Sequence, residues 1–431
     1  MSNAGTRPRP IAVVARQPFW LQPPTVAVIG ATVFNFLLCL VNTNVTSVGS
    51  AAAIGCELII ISAVLLYTYQ RLNYTQLLVI CGAVFYLMAL AAGRLLLSGN
   101  ADVKPIRDLL IPIAFFILGA GAPDLKTADR IIGVIALLVV LVGLFEYFLP
   151  DVFTRFCNIA SFYVERGTMD AAQMQQSSSL FVSGMRPEGA GGGRNILPFL
   201  GNHRVSSIFL EPVSAGNFGI ILFIWGMVRS MMERRLYWGL FAAAGFVIIM
   251  SDSRFGAYFC AIALLLAIVP SAIRYIMVAL APLVGVLTIA FLPDLLSNQF
   301  GMSNGFIGRI IMSGEILSRF DALTWFGLRA PEFGMADSGY AYSIASIGLI
   351  GMAIFWAMLL LTEGRSRFFY TFRDLAAAYV AFLLCISNSP YTIKTGALLW
   401  FLTGVLSAAP ALLSRRAPRA APKANYASAM R

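Results

Sequence analysis

Long apolar runs alternate with short polar interruptions along almost the whole chain. A helix needs about 20 mostly apolar residues to cross a hydrocarbon core of about 30 Å. By this criterion the pattern predicts twelve membrane-spanning helices, at residues 25–47, 51–69, 75–97, 107–122, 129–149, 206–228, 236–250, 255–271, 274–291, 339–361, 375–388 and 395–412. Two long segments interrupt the pattern, at about 150–205 and 292–338. We therefore expect an all-α bundle of about twelve transmembrane helices with two long loops.

The composition agrees with a membrane protein and excludes a water-soluble one. Of the 431 residues, 59% are hydrophobic and only 12% are charged, whereas a soluble domain carries roughly 25% charged residues. The abundance of apolar residues also excludes a disordered chain. The formal net charge is +11, but the basic residues are scattered between apolar runs and form no stripe with interleaved aromatic residues. We therefore expect no nucleic-acid partner.

The positions of the basic residues predict the orientation of the bundle, because short loops rich in Lys and Arg stay in the cytoplasm. Counting from a cytoplasmic N-terminus, every second loop is basic. The predicted cytoplasmic residues are Arg7, Arg9, Arg16, Arg71, Lys126, Arg130, Arg229, Arg234, Arg235, Arg274, Arg365, Arg367, Arg373, Arg415, Arg416, Arg419, Lys423 and Arg431. Short outer loops carry only Lys104, Arg254 and Lys394. This predicts a cytoplasmic leader (1–24), a membrane bundle (25–412) and a basic cytoplasmic tail (413–431), with both long loops in the periplasm.

Cysteine and histidine usage indicates neither a metal site nor a disulfide framework. The six cysteines lack metal-ligand spacing, and five of them lie in apolar runs, where Cys behaves as a small hydrophobic residue. The single histidine, His203, excludes a histidine cluster and is read more readily as an interfacial residue than as a catalytic base. Glu57, Arg94 and Glu146 lie within or near early spans, where snorkelling or inter-helix pairing explains them.

Ionisable residues at the outer ends of later spans are candidates for function, because charge is costly in a membrane. Arg204 precedes the sixth predicted span, Glu211 follows about two helical turns later, and Pro212 is expected to kink that helix. One interpretation is that Glu211 pairs with an arginine and only holds helices together. The other is that it accepts a proton from a sugar hydroxyl, with partial desolvation raising its pKa.

Two further outer positions carry candidate residues. Arg254 lies in a short outer loop, although basic residues in short loops usually stay in the cytoplasm. This position favours a role in anion binding. The alternative is that Arg254 forms a solvated pair with Asp252. In the second long loop Arg309 occurs early, and Asp337 stands at the mouth of the next span as a competing carboxylate. One guanidinium group can donate two parallel hydrogen bonds to two phosphate oxygens, so a face that carries several arginines suits a diphosphate. The glycine run at 189–193 reads as a hinge rather than a phosphate loop, since Arg194 and Asn195 follow it.

Taken in order, these residues resemble those of the O-antigen ligases and Wzy-type polysaccharide polymerases. The series comprises an arginine ahead of Ser-x-Phe-x-Glu-Pro-x-x-x-Gly (204–216), then Ser-Arg-x-Gly-Ala (253–257), Gly-Arg (308–309), Asp-Ser-Gly-Tyr (337–340) and Gly-Leu-Ile-Gly (348–351). It covers only the second half of the chain. In overall length the chain resembles the gum-cluster polymerases of xanthan-like exopolysaccharide synthesis.

The resemblance implies a GT-C-like membrane glycosyltransferase at the periplasmic face of a bacterial inner membrane. Such enzymes join oligosaccharide repeats carried on undecaprenyl diphosphate, invert the anomeric centre and use no cofactor or metal. By carry-over, Arg204, Arg254 and Arg309 bind the diphosphate, and Glu211 or Asp337 acts as the catalytic base. A chain-length regulator and an export complex are further partners that the family implies. Ligases usually carry a histidine where Asp337 stands here, which favours a polymerase.

Three other classes remain open on the sequence alone: an O-antigen-type ligase, a flippase for lipid-linked oligosaccharides, and a non-catalytic scaffold of an export complex. A flippase would spread charge along a central cavity through both halves of the bundle. The first half of this sequence carries few charges within its predicted spans, which favours the polymerase over the flippase.

Overall fold

The computed structural model describes residues 18–70, 72, 74–99, 104–122, 124–169, 180, 184, 185, 194, 196–296, 306–329 and 335–409. Most of the predicted leader, the whole basic tail and the glycine run lie outside these residues. Within them the regular structure is helical, apart from one isolated β-bridge between Met185 and His203. The predicted all-α class is thus confirmed for the described part of the chain.

The α-helices follow the apolar pattern closely. They are α1 (Pro23–Asn44), α2 (Ser50–Tyr69), α3 (Tyr74–Ser98), α4 (Lys104–Ala120), α5 (Leu125–Phe148), α6 (Pro150–Phe156), α7 (Ile159–Glu165), α8 (Pro212–Glu233), α9 (Trp238–Met250), α10 (Arg254–Ile268), α11 (Ser271–Leu296), α12 (Phe306–Ser318), α13 (Ala322–Trp325), α14 (Gly339–Leu361), α15 (Arg367–Leu384) and α16 (Ile393–Ala408). Each of the twelve predicted spans overlaps one helix.

Seven of these helices are long and apolar enough to cross a membrane, namely α1, α2, α3, α5, α8, α11 and α14. Helices α9, α10 and α16 are apolar but shorter. Of the helices that coincide with predicted spans, the other two, α4 and α15, each carry three charged residues in their first half. The chain is therefore a multi-pass helical membrane protein, with seven spans supported by length and composition.

Helix α8 begins six residues later than predicted, and its proline does not kink it. Pro212 is the first residue of α8, where its missing N–H costs nothing, and Glu211 is the extended N-cap. A proline disfavours the helical conformation in the residue before it, so the helix cannot extend back through Glu211. The predicted position of Glu211 two turns inside the span was therefore wrong.

Helix α15 begins eight residues earlier than predicted, because its charges are paired rather than solvated. The Ser366 side chain caps the helix by accepting a hydrogen bond from the Phe369 amide at 3.2 Å. Asp374 is buried and forms ion pairs with Arg274 and Arg373, each with an N–O distance of 2.9 Å. Arg373, predicted to lie in a loop, is thus a buried residue of the helix.

The centre of the bundle is formed by α8, α15 and α16, whose residues are buried on nearly all sides. Helix α16 packs closely on α4 through two glycines. A side chain at Gly119 would collide with the backbone of Phe401, and one at Gly404 would collide with the backbone of Phe116. Small residues allow this close approach between membrane helices.

Helix α14 is broken in mid-span at Gly348, where φ is +68°. The break frees carbonyl groups that an intact helix would pair internally. Arg94 of α3, fully buried, donates to the carbonyls of Ala345 and Ser346, and the Tyr86 hydroxyl donates to that of Ile347 at 2.6 Å. The interpretation of Arg94 as an inter-helix contact is confirmed.

Candidate functional site

The residues before α8 form a strained turn. Ser207–Phe209 is one turn of 3₁₀ helix, and Ser207 and Leu210 adopt left-handed conformations with φ of 50° and 62°. Such conformations cost on the order of 1–3 kcal/mol each in residues other than glycine, and they concentrate at functional sites. The turn delivers Glu211 to the N-terminus of α8.

Glu146, on α5, holds this turn in place. Its fully buried carboxylate accepts hydrogen bonds from the amides of Ser206 and Ser207, at 2.6 to 3.0 Å. His203 Nε2 lies 3.1 Å from the same carboxylate. Glu146 therefore compensates for the cost of the strained backbone, and His203 is a partner of Glu146, which agrees with the interfacial reading.

Glu211 is the centre of a polar group that joins α7, α8 and α16. The Tyr163 hydroxyl donates to Glu211 Oε1 at 2.5 Å, and the Ser214 hydroxyl donates to Oε2 at 2.8 Å. The Lys394 Nζ lies 3.1 Å from Oε1 and also donates to the carbonyl of Phe209 at 3.2 Å. The partner of Glu211 is thus a lysine, where the sequence suggested an arginine.

These contacts determine the ionisation of Glu211. Burial raises the pKa of the carboxyl group, but the charge of Lys394 and the hydrogen bonds from Tyr163 and Ser214 lower it by more. The pKa lies below the ordinary value of 4.5. The expectation of a raised pKa was therefore wrong, because it counted desolvation without a neighbouring cation. About a quarter of the side chain, 27%, remains exposed, so an ionised carboxylate is accessible here.

A second charged group continues from this one into the first half of the chain. Arg107 of α4 bridges Glu57 of α2 and Asp108, with N–O distances of 2.6 Å to both. The Tyr342 hydroxyl of α14 donates to Asp108 at 2.5 Å. Glu57 also interacts electrostatically with Arg166 and Lys394. The reading of Glu57 as an inter-helix partner is confirmed.

Arg204 contacts the turn at residues 251–254, and Arg254 is both the last residue of that turn and the first residue of α10. Arg204 is buried, and its Nε donates to the carbonyl of Ser251 at 3.0 Å. Arg254 begins α10 and is half-buried. Gly216 of α8 touches Ser253 so closely that a side chain there would collide with it. Arg204 therefore fixes the 251–254 turn, which packs on α8 through Ser253, the residue before Arg254.

Arg309 and Asp337, the candidates from the second long segment, contact each other. Arg309 lies 3.2 Å from the Asp337 carboxylate and reaches the carbonyl of Ile386 at 3.4 Å, just after α15. Their side chains are 30% and 52% exposed, so both are open to a ligand. The two candidate bases thus have different cations, Glu211 a lysine and Asp337 an arginine.

The sequence analysis missed two residues that contact Glu211: Tyr163 and Lys394. Lys394 could have been found by the argument applied to Arg254, since it also opposes the orientation trend at the start of an apolar run. Tyr163 carries no such signal, because it lies within the first long segment. In the described residues, no group of three or more His, Cys, Asp or Glu side chains could hold a metal ion.

No protein-family model, curated protein or solved structure matches this chain.

Proposed function

We propose that the protein is a membrane glycosyltransferase that polymerises undecaprenyl-diphosphate-linked oligosaccharide repeats at the periplasmic face of a bacterial inner membrane. The observation that carries the proposal is the partly exposed, ionised Glu211 at one end of the bundle, held by Lys394, Tyr163 and Ser214. We name this end, where α8 and α16 begin, the Glu211 end. The series of motifs from Arg204 to Gly351 resembles that of the Wzy-type polymerases, and this resemblance is the basis for the class of reaction.

The arginines suited to a diphosphate lie at the same end. Arg254 follows Ser253, which packs against Gly216 of α8, and α8 begins at Pro212, directly after Glu211. Arg309 reaches the carbonyl of Ile386, in the connection that leads from α15 to Lys394 on α16. In this proposal Arg254 and Arg309 contact the diphosphate, and Arg204 positions the turn that carries Arg254.

The reaction follows from these roles. The oxygen of an acceptor sugar hydroxyl attacks the anomeric carbon of the donor repeat as the bond from that carbon to the diphosphate oxygen breaks. The hydroxyl proton passes to the ionised Glu211, and the leaving diphosphate takes the electron pair of the broken bond. Positive groups already in place stabilise charge that develops on the leaving group. Asp337, which faces Arg309, is the competing proton acceptor.

The test uses purified protein and lipid-linked repeats extracted from a host strain in which the gene is deleted. Products are separated by gel electrophoresis. The proposal expects a ladder of polymers from the wild type. Because general-base catalysis contributes about 10²–10⁴-fold, Glu211→Gln should lose about that much turnover while still binding the lipid-linked donor. Asp337→Asn is the matched carboxylate control.

The outcomes separate the candidates. Transfer to a different acceptor, without a ladder, would identify a ligase. Normal polymer from Glu211→Gln together with loss in Asp337→Asn would move the role of base to Asp337. Loss of donor binding in Glu211→Gln would make Glu211 a structural partner of Lys394.

A flippase for the same lipid-linked oligosaccharide is the second candidate, and one observation favours it. The first half of the chain contains buried charge after all: Glu57, Arg94, Asp108 and Glu146 are all buried. The expectation of few buried charges in the first half, which favoured the polymerase over the flippase, is therefore wrong. Transport without any covalent product, measured as movement of lipid-linked repeats across sealed vesicles, would support the flippase and reject the polymerase.

A further inference from the structure

Two cysteines far apart in the sequence meet at the Glu211 end of the bundle. The Sγ atoms of Cys39, on α1, and Cys157, in the junction between α6 and α7, lie 3.2 Å apart. Both side chains are buried, and the residues are separated by 118 positions in the chain. A disulfide needs an S–S distance of about 2.05 Å, so an approach of little more than 1 Å would join them.

The contact lies in a joint between α1 and the α6–α7 junction that is held together by hydrogen bonds. The Asn44 side chain donates to the carbonyl of Phe156 at 2.8 Å, and the Asn158 amide donates to the Thr43 hydroxyl at 2.9 Å. These bonds lie on either side of Cys157, at the end of the helix that carries Cys39. The two thiols are therefore held face to face by their neighbours, within a small apolar cluster that also contains Phe153, Phe162 and Leu210.

We propose that Cys39 and Cys157 form a structural disulfide. The inference rests on the proposed function in one respect, the placement of the Glu211 end in the periplasm, where disulfides form and persist. It corrects the expectation that the cysteines carry no disulfide, which considered only their spacing in the sequence. The four other cysteines, Cys56, Cys81, Cys260 and Cys385, remain as thiols.

The chemistry requires an oxidant. Two thiols lose two protons and two electrons to form one S–S bond. A disulfide of a periplasmic thiol oxidoreductase accepts the two electrons and two protons and becomes a pair of thiols. Hydrogen bonding to Cys39 and burial both raise the pKa of Cys157, and exchange requires the thiolate. The bond therefore forms while the protein inserts, before the joint is buried.

The disulfide would act on the site through α7. This helix begins two residues after Cys157 and carries Tyr163, which donates to Glu211. Arg166, just after α7, donates back to Asn35 of α1 at 3.2 Å. A covalent bond at Cys157 fixes the start of a short segment whose other end is held by Arg166, so Tyr163 is constrained from both sides.

The direct test is the thiol inventory of the wild-type protein. Membranes are dissolved in SDS with excess N-ethylmaleimide and no reductant, and the digest is analysed by mass spectrometry. The proposal expects a linked peptide pair containing Cys39 and Cys157, with the other four cysteines alkylated. Alkylation of all six cysteines would overturn it. The same protein from a strain without periplasmic thiol oxidases should yield six alkylated cysteines; a linked pair there would contradict the stated oxidant.

A second measurement uses variants with a matched control. Cys39→Ser/Cys157→Ser should lower the temperature of thermal unfolding by about 5 °C or more, because a long closed loop is released. Cys56→Ser/Cys260→Ser, which changes two thiols outside the joint, should not. Equal unfolding temperatures for wild type and the first variant would count against the disulfide. A linked peptide without polymer rejects only the proposed function, and polymer without a linked peptide rejects only the disulfide.

Discussion

Lys394 determines how Glu211 behaves at neutral pH. A carboxylate in a largely buried position would ordinarily hold its proton more tightly, yet this one has a pKa below 4.5 because the lysine lies 3.1 Å away. The pair therefore stabilises the folded state fully above about pH 4.5, and its contribution is lost as the pH falls through the lower folded value. A base with a low pKa accepts protons less strongly, but it is always in the form that can accept one.

The substitution Lys394→Met tests this relation. Without the cation, the pKa of Glu211 rises, so loss of polymer formation on acidification should begin at a higher pH than in the wild type. Lys126→Met, at an exposed lysine of α5, makes the same chemical change away from the site and should leave the pH profile as it is. The measurement is polymer yield against pH for the three proteins; identical acid limbs would show that Glu211 is not the titrating base.

Replacing Arg254 and replacing Arg204, which contacts the 251–254 turn, should have different effects on activity and stability. Arg254→Ala should lose about 10²–10³-fold in turnover, the usual cost of one group that stabilises transition-state charge. Its thermal unfolding should change little, since the side chain is half-buried and forms no hydrogen bond or ion pair with the residues that the structure describes. Arg254→Lys should recover only part of the activity, because an ammonium lacks the planar pair of donors that fits phosphate.

Arg204→Ala, by contrast, removes a buried donor from the Ser251 carbonyl. An unsatisfied buried acceptor costs about 1–3 kcal/mol, so we expect a lower unfolding temperature in detergent as well as lost activity. Wild-type stability in Arg204→Ala, with activity lost, would show that Arg204 contacts the substrate directly as the resemblance implied.

At the scale of the element, the existence of the helices could be predicted and their beginnings could not. An apolar window cannot distinguish Ile208-Phe209-Leu210 in a 3₁₀ turn from the same residues in an α-helix. The difference is made by Glu146, sixty residues earlier, whose carboxylate holds the turn amides. The candidate site shows the same limit. The sequence alone identifies Glu211, Arg254 and Asp337 as candidates, because each is a charged residue beside an apolar run. It does not identify Tyr163, whose role depends on a contact with a residue far along the chain.

The break in α14 gives a prediction at this scale. Gly348→Ala would place a side chain against the backbone of Phe326 and force a left-handed conformation on alanine. We expect a loss of stability on the order of 1–3 kcal/mol. Gly245→Ala is the control, since that glycine lies in α9 with no atom within 4 Å of the added carbon. Thermal unfolding of the two variants should differ clearly; equal stability would mean that the helix is continuous through Gly348.

At the scale of the whole molecule, the ion pairs separate into two ends. The Glu211 group lies where α8 and α16 begin. The pair of Asp129 with Arg229 lies near the end of α8, and the pair of Asp374 with Arg274 lies near the beginnings of α15 and α11. By the positive-inside rule we expect this second end to face the cytoplasm.

Labelling from outside the cell tests this orientation. Cysteines introduced at Met185 and Ser318 should react with an impermeant maleimide added to intact spheroplasts, and one introduced at Arg235 should react only after the membrane is opened. All three positions are exposed. Reaction at Arg235 from outside would invert the bundle and remove the basis for a periplasmic active site.

The glycine contact between α4 and α16 sets an order of events during biosynthesis. Helix α4 leaves the ribosome long before α16. Because translation runs at about 5–20 residues per second, some tens of seconds separate the synthesis of the two helices. During that time the glycine face of α4 must be sheltered by lipid, the translocon or a helper protein, and Lys394 has not yet been made. Glu211 therefore lacks its cation until α16 has been made, so the contacts around Glu211 are among the last in the bundle to be completed.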